Sequence, residues 1–348
     1  MASPTLDSAI EEFLSSRRAR GIKKGTVANE RCVLRKFQAV TGNLLVKNLT
    51  SRHIDMYFAA NCHLAASTLN RDTAYFEGFF KWCRSRRYMP RDADPLEGVG
   101  KRKEIQRDFI FLPAERFEEL LNAARHQRDR AVLAIGLYTF QRASELTRLT
   151  WDDVHDTDPD PRKWEIAIYR KKTDERDWLP LCLELKEELQ RWRLEYGRMC
   201  GQLPRGDWLV VPAFDRGEWG QNPTTRLLER KSPLKLNPKA PITNCQDIIH
   251  RALKGIGFDD TRQEGAHTLR RSGGLALYQE LAWNRGHDGA LRIVQSMYGH
   301  KSIQTTERYL RLTLERKRRN DLLAGVQMFS GKDASVSSIQ PEQAVTVA

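Results

Sequence analysis

The stretch after Ser67 constrains the fold more than any other part of the chain. Leu69, Tyr75, Phe76, Phe79, Phe80 and Trp82 recur there at the three-and-four spacing of one α-helical face. A helix carrying so many large apolar groups on one side needs other helices to cover them, so the stripe is core rather than a base-stacking surface. The preceding residues supply the cover. Leu6, Ile10, Phe13 and Leu14 follow helical spacing, and Thr26 is expected to cap a second helix with Val33, Leu34 and Phe37 inward and Gly42 at its end. A short helix runs from Ser51 through Ile54, Tyr57 and Phe58. Pro90 and Pro95 stop the helices, and the polar, charged residues 101–107 mark a boundary. The expected division is an all-helical domain at 1–100, a linker at 101–107, a second domain at 108–320, and a C-terminal helix with a flexible tail at 321–348.

The second domain mixes periods. A helix starts near Pro113 with Phe117, Leu120 and Leu121 on one face, and Ala131 to Tyr138 continues as a buried helix. Trp164 to Tyr169 and Asp177 to Leu181 are β-like around the polar turn Lys171–Lys172–Thr173–Asp174–Glu175, which predicts a hairpin. Leu185 to Tyr196 returns to helix, and 202–241, rich in Pro, Gly and Asn, is expected to be mostly loop. Further helices are expected at 242–255, 267–281, 290–298 and 305–319, with 283–289 as an insertion. The fold class is therefore mainly α with a small β-sheet.

Composition narrows the function. With 40% hydrophobic residues in 348, the chain can bury real cores, which excludes a disordered protein. It has no apolar run near the ~18 residues that a membrane span needs. Acids near Met1 stand where a signal peptide would be basic and then apolar. Six cysteines without a CxxC pair fit reduced thiols, so the expected location is the cytoplasm, without membrane association. Lys plus Arg is 58 against 45 for Asp plus Glu, a net +13. Residues 1–106 carry 19 basic against 11 acidic groups, which is +8 of that total. Clusters at Arg17–Lys24, Arg84–Arg87, 101–103 and Arg316–Arg319 form a surface that would favour a polyphosphate through counterion release. Lys23, Lys24, Arg71, Lys101, Arg102 and Lys103 are the candidate DNA contacts. Cys62, His63 and Cys83 lack a fourth ligand at sensible spacing, and there is neither an HExxH nor a Gly-rich phosphate loop, so no metal and no cofactor is expected.

Chemistry-bearing residues follow in order. Arg142 is trailed by Ala143, Ser144, Glu145 and Leu146; Lys172 sits in the hairpin turn; His267 and Arg270 share a helix face; Gly299–His300 precedes Tyr309 by nine residues. Singly, each has an ordinary structural explanation: an i,i+3 ion pair, a solvated turn, a core histidine, a half-buried tyrosine. Their conjunction and order carry the signal. In this the chain resembles the tyrosine recombinases of the phage integrase family. Arg142–Ala–Ser–Glu145–Leu146 matches the family's first box, His267–Thr–Leu–Arg270 opens its second, and Gly299, His300 and Tyr309 close it. Lys172 fits the family's hairpin lysine, with Lys171 as the rival. The helices of residues 6–88, with Ser67–Thr–Leu–Asn–Arg71 opening the last, resemble its core-binding domain. About 315 of the 348 residues are covered. Two departures stand out: Phe140 and Gln141 precede Arg142 where smaller residues are commoner, and the interval from Arg270 to His300 is long.

The resemblance implies a core-type DNA-binding domain followed by a mixed α+β catalytic domain. It also implies site-specific cutting and rejoining of DNA through a 3′-phosphotyrosine and a Holliday junction, integrating or excising DNA at short attachment sites. Tyr309 would be the nucleophile. Arg142 and Arg270 would clamp the pentavalent phosphate, and Lys172 would protonate the leaving 5′-oxygen. His267 would act as base or proton shuttle, His300 would donate to a phosphate oxygen, and Glu145 would orient the cluster. Double-stranded DNA attachment sites, a homotetramer on DNA formed from free monomers, and an excisionase or DNA-bending host protein are the implied partners. Residues 321–329 would dock on a neighbouring subunit. With helices starting within about ten residues of Met1, no separate arm-binding domain is expected. Alternatives of the same chemistry are a chromosome-dimer resolvase, a transposon recombinase, or a type IB-like topoisomerase; a DNA-binding pseudoenzyme is the non-catalytic one.

Overall fold

The structure is a computed structural model and describes residues 3–104, 109–170, 175–215, 217, 219–221, 228–230, 234–258 and 264–312. Contacts divide the chain into two compact units, Met1–Asp108 and Phe109–Ala348. Among the described residues no helix is long and apolar enough to cross a membrane.

Unit one is built from α1 (Leu6–Ala19), α2 (Lys24–Thr41), α3 (Ser51–Ala60) and α4 (Ala66–Ser85). The aromatic stripe of α4 faces inward: Phe76, Phe79 and Phe80 are fully buried with Phe37 and Tyr57. Edge contacts fix the packing, with Phe13 and Phe79 centroids 5.5 Å apart and Tyr57 and Phe76 4.9 Å apart. The buried Tyr57 hydroxyl of α3 donates to Asp72 Oδ2 at 2.8 Å, which satisfies both of these buried groups. Thr26 is not the cap of α2. The helix begins at Lys24, because burial of Val27 draws the first turn back and the Lys23 carbonyl accepts from Thr26 and Val27.

In unit two, α6 (Gln127–Thr139) forms the centre and is buried almost all round, with Ala131 through Ile135 at 0% exposure. Such a helix has no polar face to show and must be wrapped on every side. The cover comes from α5 (Phe117–Asn122), α8 (Leu183–Cys200), α9 (Cys245–Gly255) and α10 (Ala266–Tyr298). An antiparallel sheet of β1 (Val154–His155), β2 (Glu165–Arg170) and β3 (Glu175–Pro180) lies alongside, with Ala167 opposite Trp178 and Arg170 opposite Glu175. The predicted hairpin is therefore present, while its turn at 171–174 lies outside the described residues.

Two expectations here need correcting. The 202–241 stretch is not mostly loop: β4 (Pro212–Phe214) pairs with β7 (Leu236–Pro241), and β5 (Trp219–Gln221) with β6 (Leu228–Arg230). Strands of three to six residues leave too little apolar alternation to read. The two helices expected at 267–281 and 290–298 are both present: the span α10 consists of two helices that meet at a non-helical kink at Gly286 (φ 71°, ψ 172°). The kink falls within the insertion expected at 283–289, and Tyr278 bonds His287 across it at 2.7 Å. Helix α11 (Ile303–Leu310) starts two residues early and ends at Arg311, which turns left-handed (φ 53°); the rest of the expected span, 313–319, lies outside the described residues. The basic cluster at 316–319 and the C-terminal helix and tail expected at 321–348 also lie outside the described residues.

Candidate active site

The turn between α6 and α7 (Ala143–Leu146) presents Arg142. Glu145, with its side chain 1% exposed, aims both carboxylate oxygens back at that residue. Oε2 accepts the Arg142 backbone N–H at 2.9 Å and Oε1 accepts the guanidinium Nη1–H at 2.8 Å. The ordinary i,i+3 ion pair is therefore real, and it is also what aims the guanidinium. Just upstream, Phe140 adopts a left-handed conformation (φ 55°, ψ 29°). A bulky residue there costs on the order of 1 kcal/mol or more. Packing of its ring on Tyr298 at 5.5 Å offsets the strain, and its carbonyl accepts from Arg270. Phe140 is thus the hinge that turns α6 into the arginine turn. Gln141 is 1% exposed, and its two amide atoms lack partners among the described residues.

The first turn of α10 carries His267 and Arg270. Thr268 ties it down by accepting from the Gly265 N–H at 3.1 Å and donating to Glu264, and Arg271 Nη2 donates to the same carboxylate at 2.6 Å. Arg270 is 2% exposed, yet no carboxylate pairs with it among the described residues. Its donors go instead to the carbonyls of Phe140 and Tyr298, the latter at 2.8 Å, and its guanidinium lies 4.6 Å over the Tyr298 ring. Burial first, then the Arg142 charge, pushes its pKa down to about 10, so it remains a cation at neutral pH. A buried cation held by carbonyls and aromatic rings, with no described carboxylate, is an unfinished ion pair that an incoming anion would complete.

The far end of α10 closes the site. Arg170, the last residue of β2 and 6% exposed, bonds Asp177 Oδ2 through Nε at 2.8 Å and through Nη2 at 2.5 Å. It also donates to the carbonyls of Tyr298 at 2.8 Å and Met297 at 3.0 Å. A guanidinium suits the negative end of a helix. Gly299 follows with φ 64°, and a Cβ there would sit 2.5 Å from the Arg170 guanidinium carbon, so both conformation and space require glycine. His300 then stacks on Tyr298 at 4.9 Å and meets Thr306 Oγ1 through Nδ1 at 3.0 Å. From α11, Tyr309 brings its hydroxyl to 3.0 Å from His267 Nδ1, with its ring 5.7 Å from that of His300 and the Arg270 guanidinium 5.9 Å over it.

Protonation follows from these surroundings. Burial raises the Tyr309 pKa, partly offset by Arg270, Arg271 and Arg142, so the phenol keeps its proton at neutral pH. Desolvation and then Arg270, Arg271 and Arg142 hold His267 below the ordinary histidine value. A neutral imidazole thus faces a protonated phenol within hydrogen-bond reach, the arrangement a general base needs.

Arg142, His267, Arg270, His300 and Tyr309 are therefore gathered, with Glu145 supporting. Lys172 and its rival Lys171 lie outside the described residues. Of the candidate DNA contacts, Lys23, Lys24, Lys101 and Lys103 are exposed, and Arg71 is exposed and paired with Asp72 at 3.1 Å. Arg102 instead packs inward, its guanidinium 3.9 Å over the Phe58 ring and its backbone clasped by Asn70 at 2.9 Å. The sequence gives no warning of Arg170 or of the left-handed Phe140. The one trace was the unusual bulk at position 140.

A profile of the phage integrase family matches residues 111–316. A tyrosine recombinase of Pseudothermotoga lettingae is 24% identical over 283 residues, covering 80% of this chain and 83% of its own length. The tyrosine recombinase XerC of Pediococcus pentosaceus is 24% identical over 324 residues, covering 89% and 94% respectively. In fold, the chain is similar to a lambda integrase dimer bound to a COC′ core site, with a TM-score of 0.64, 16% identity, and coverage of 89% of this chain and 78% of that one.

The Arg170–Gly299 contact predicts a coupled cost. Gly299→Ala should lower unfolding free energy by about 1–3 kcal/mol in urea melts. In an Arg170→Ala background the added penalty should shrink to the positive-φ part alone, about 1 kcal/mol. Additive losses would mean that the two residues do not press on one another.

Proposed function

The chain belongs to the phage integrase family and is a tyrosine recombinase, an enzyme that cuts and rejoins DNA; from that premise we propose how its own residues divide the work. The Tyr309 oxygen attacks phosphorus, forming a Tyr–O–P bond as the P–O5′ bond breaks, and the product is a 3′-phosphotyrosine. His267 takes the phenol proton and Lys172 protonates the departing 5′-oxygen. Arg142 and Arg270 hold the non-bridging oxygens, where charge grows in the transition state, and His300 donates to one of them. Attack by the 5′-hydroxyl of another strand reverses these steps. The phosphodiester energy is conserved without ATP. The observation that carries this assignment is the Tyr309 hydroxyl, 3.0 Å from His267 and beside an Arg270 that no described carboxylate neutralises.

We assign residues 1–100 to core-site binding, 101–107 to the linker, 108–320 to catalysis, and 321–348 to a C-terminal helix and tail whose apolar part docks on a neighbouring subunit. Exposed Lys23, Lys24, Arg71, Lys101 and Lys103 serve phosphate contact, whereas the packing of Arg102 on Phe58 argues for a structural role. Exchange of four strands with one nucleophile per protomer calls for a tetramer on paired sites, assembled from monomers and passing through a Holliday junction. The reaction integrates or excises DNA at short attachment sites in the cytoplasm, with an excisionase or a DNA-bending protein as accessory. Likeness to the XerC tyrosine recombinases favours a second assignment, in which the same chemistry resolves chromosome dimers.

Two outcomes test the assignment on a nicked suicide substrate. Arg142→Ala and Arg270→Ala should each slow covalent trapping by about 100- to 1,000-fold with only modest loss of half-site affinity. A 5′-bridging sulfur should rescue Lys172→Ala but neither arginine variant, since a thiolate leaves without a proton. Rescue of Lys171→Ala in its place would move the acid by one residue. The pH profile is the second outcome. With His267 held below the histidine reference of 6.5, the cleavage rate should be full at neutral pH and fall only as pH drops through a midpoint below 6.5. His267→Gln should be slower and should lack that limb. A limb that persists in the variant would contradict the base assignment.

A further inference from the structure

Phe109, the first described residue of the second unit, is 44% exposed, yet two guanidiniums lie over its ring: Arg271 at 4.3 Å and Arg311 at 4.6 Å. The two arginines come from different elements. Arg271 follows Arg270 in the first turn of α10, and Arg311 ends α11 two residues after Tyr309, in a left-handed conformation with φ 53°. Arg271 is itself buried and held by Glu264 at 2.6 Å, with its Nε lacking a described partner. The backbone beside Phe109 is fastened to the same turn. The Ile110 N–H donates to Glu264 Oε1 at 3.3 Å and the Leu112 N–H to Ser272 Oγ at 2.8 Å. Residues 109–112 are thus anchored along the start of α10, and the Phe109 ring reaches from there to the end of α11.

We infer that Phe109 is a positioning residue: its ring joins Arg271 to Arg311 and so keeps α11, with Tyr309, docked on His267 and Arg270. Without a π face between them, two guanidiniums this close to one side chain repel. The ring quadrupole reverses the sign of their meeting, and an aliphatic side chain of similar bulk would not. The link acts at both ends of the reacting pair, since Arg270 and Arg271 are neighbours and Arg311 closes the helix of the nucleophile. The inference rests on the catalytic roles proposed above for Tyr309, His267 and Arg270, and one arm of its test does not depend on them.

That arm is hydrogen exchange. In the full chain, Phe109→Leu should speed exchange of the 303–310 amides by about three- to tenfold while leaving α6 protected, and Phe109→Trp should not. The second arm is single-turnover cleavage with a nicked substrate. Phe109→Leu should lose about three- to tenfold in rate with half-site binding unchanged, and Phe109→Trp should stay near wild type. Arg311→Met should match Phe109→Leu, and the double variant should be no worse than either single one. If exchange at 303–310 is unchanged in Phe109→Leu, or if Leu and Trp behave alike, the ring's π face does not hold α11 and the proposal falls. If the exchange arm holds but the wild type forms no covalent adduct, the clamp stands and the catalytic assignment fails instead.

Discussion

The Tyr298 carbonyl, at the C-terminal end of α10, accepts from Arg170 at 2.8 Å and from Arg270 at 2.8 Å, and the site is assembled around that shared acceptor. Carbonyls at a helix end lack intrahelical donors and carry the negative pole of the helix. Two buried guanidiniums converge on that pole. Through Arg170 it fixes the end of the β2–β3 hairpin; through Arg270 it fixes the start of the same long helix. The Tyr298 ring completes the arrangement, touching Phe140, His300 and Tyr309. Burial of two cations without a carboxylate on Arg270 is unfavourable in isolation. The surrounding core holds them there, and a phosphate would supply the missing counter-charge.

This design separates holding from acting. Glu145 neutralises part of Arg142 while aiming it, whereas Arg270 receives only dipoles. The site therefore keeps positive charge that no described carboxylate offsets, which on the proposed mechanism meets the negative charge that grows on the non-bridging oxygens. His267 and Tyr309 show the same logic in protons. Burial first, and then the arginines, depress the histidine, so a neutral imidazole stands beside a phenol that burial keeps protonated.

Much of the site was legible in the sequence because the chemistry fixes residue types and the fold fixes their order. Arg142, His267, Arg270, His300 and Tyr309 are the groups that the resemblance singles out, and the structure brings them together. The helical first unit was legible because Phe76, Phe79 and Phe80 repeat at helical period and can only face a core. What stayed hidden depends on tertiary contacts that leave no period. Arg170 looks like one more strand residue until Gly299 leaves room for it. Phe140 departs from small-residue expectation because its ring packs on Tyr298, a neighbour 158 positions away (298 − 140). The ladders within 202–241 pair strands too short to show a period. Arg102 was grouped with surface cations by composition, and only the structure puts Phe58 beneath it.

The central claim is that one atom, the Tyr309 phenolic oxygen, becomes bonded to DNA. Trapping the chain on a nicked substrate, digesting the adduct with protease and nuclease, and sequencing the modified peptide by mass spectrometry identifies that atom's residue directly. The account predicts a nucleotide 3′-phosphate on Tyr309, and none in a Tyr309→Phe variant that still binds DNA. A phosphate on Tyr298, on another residue, or joined through a 5′ end would contradict it.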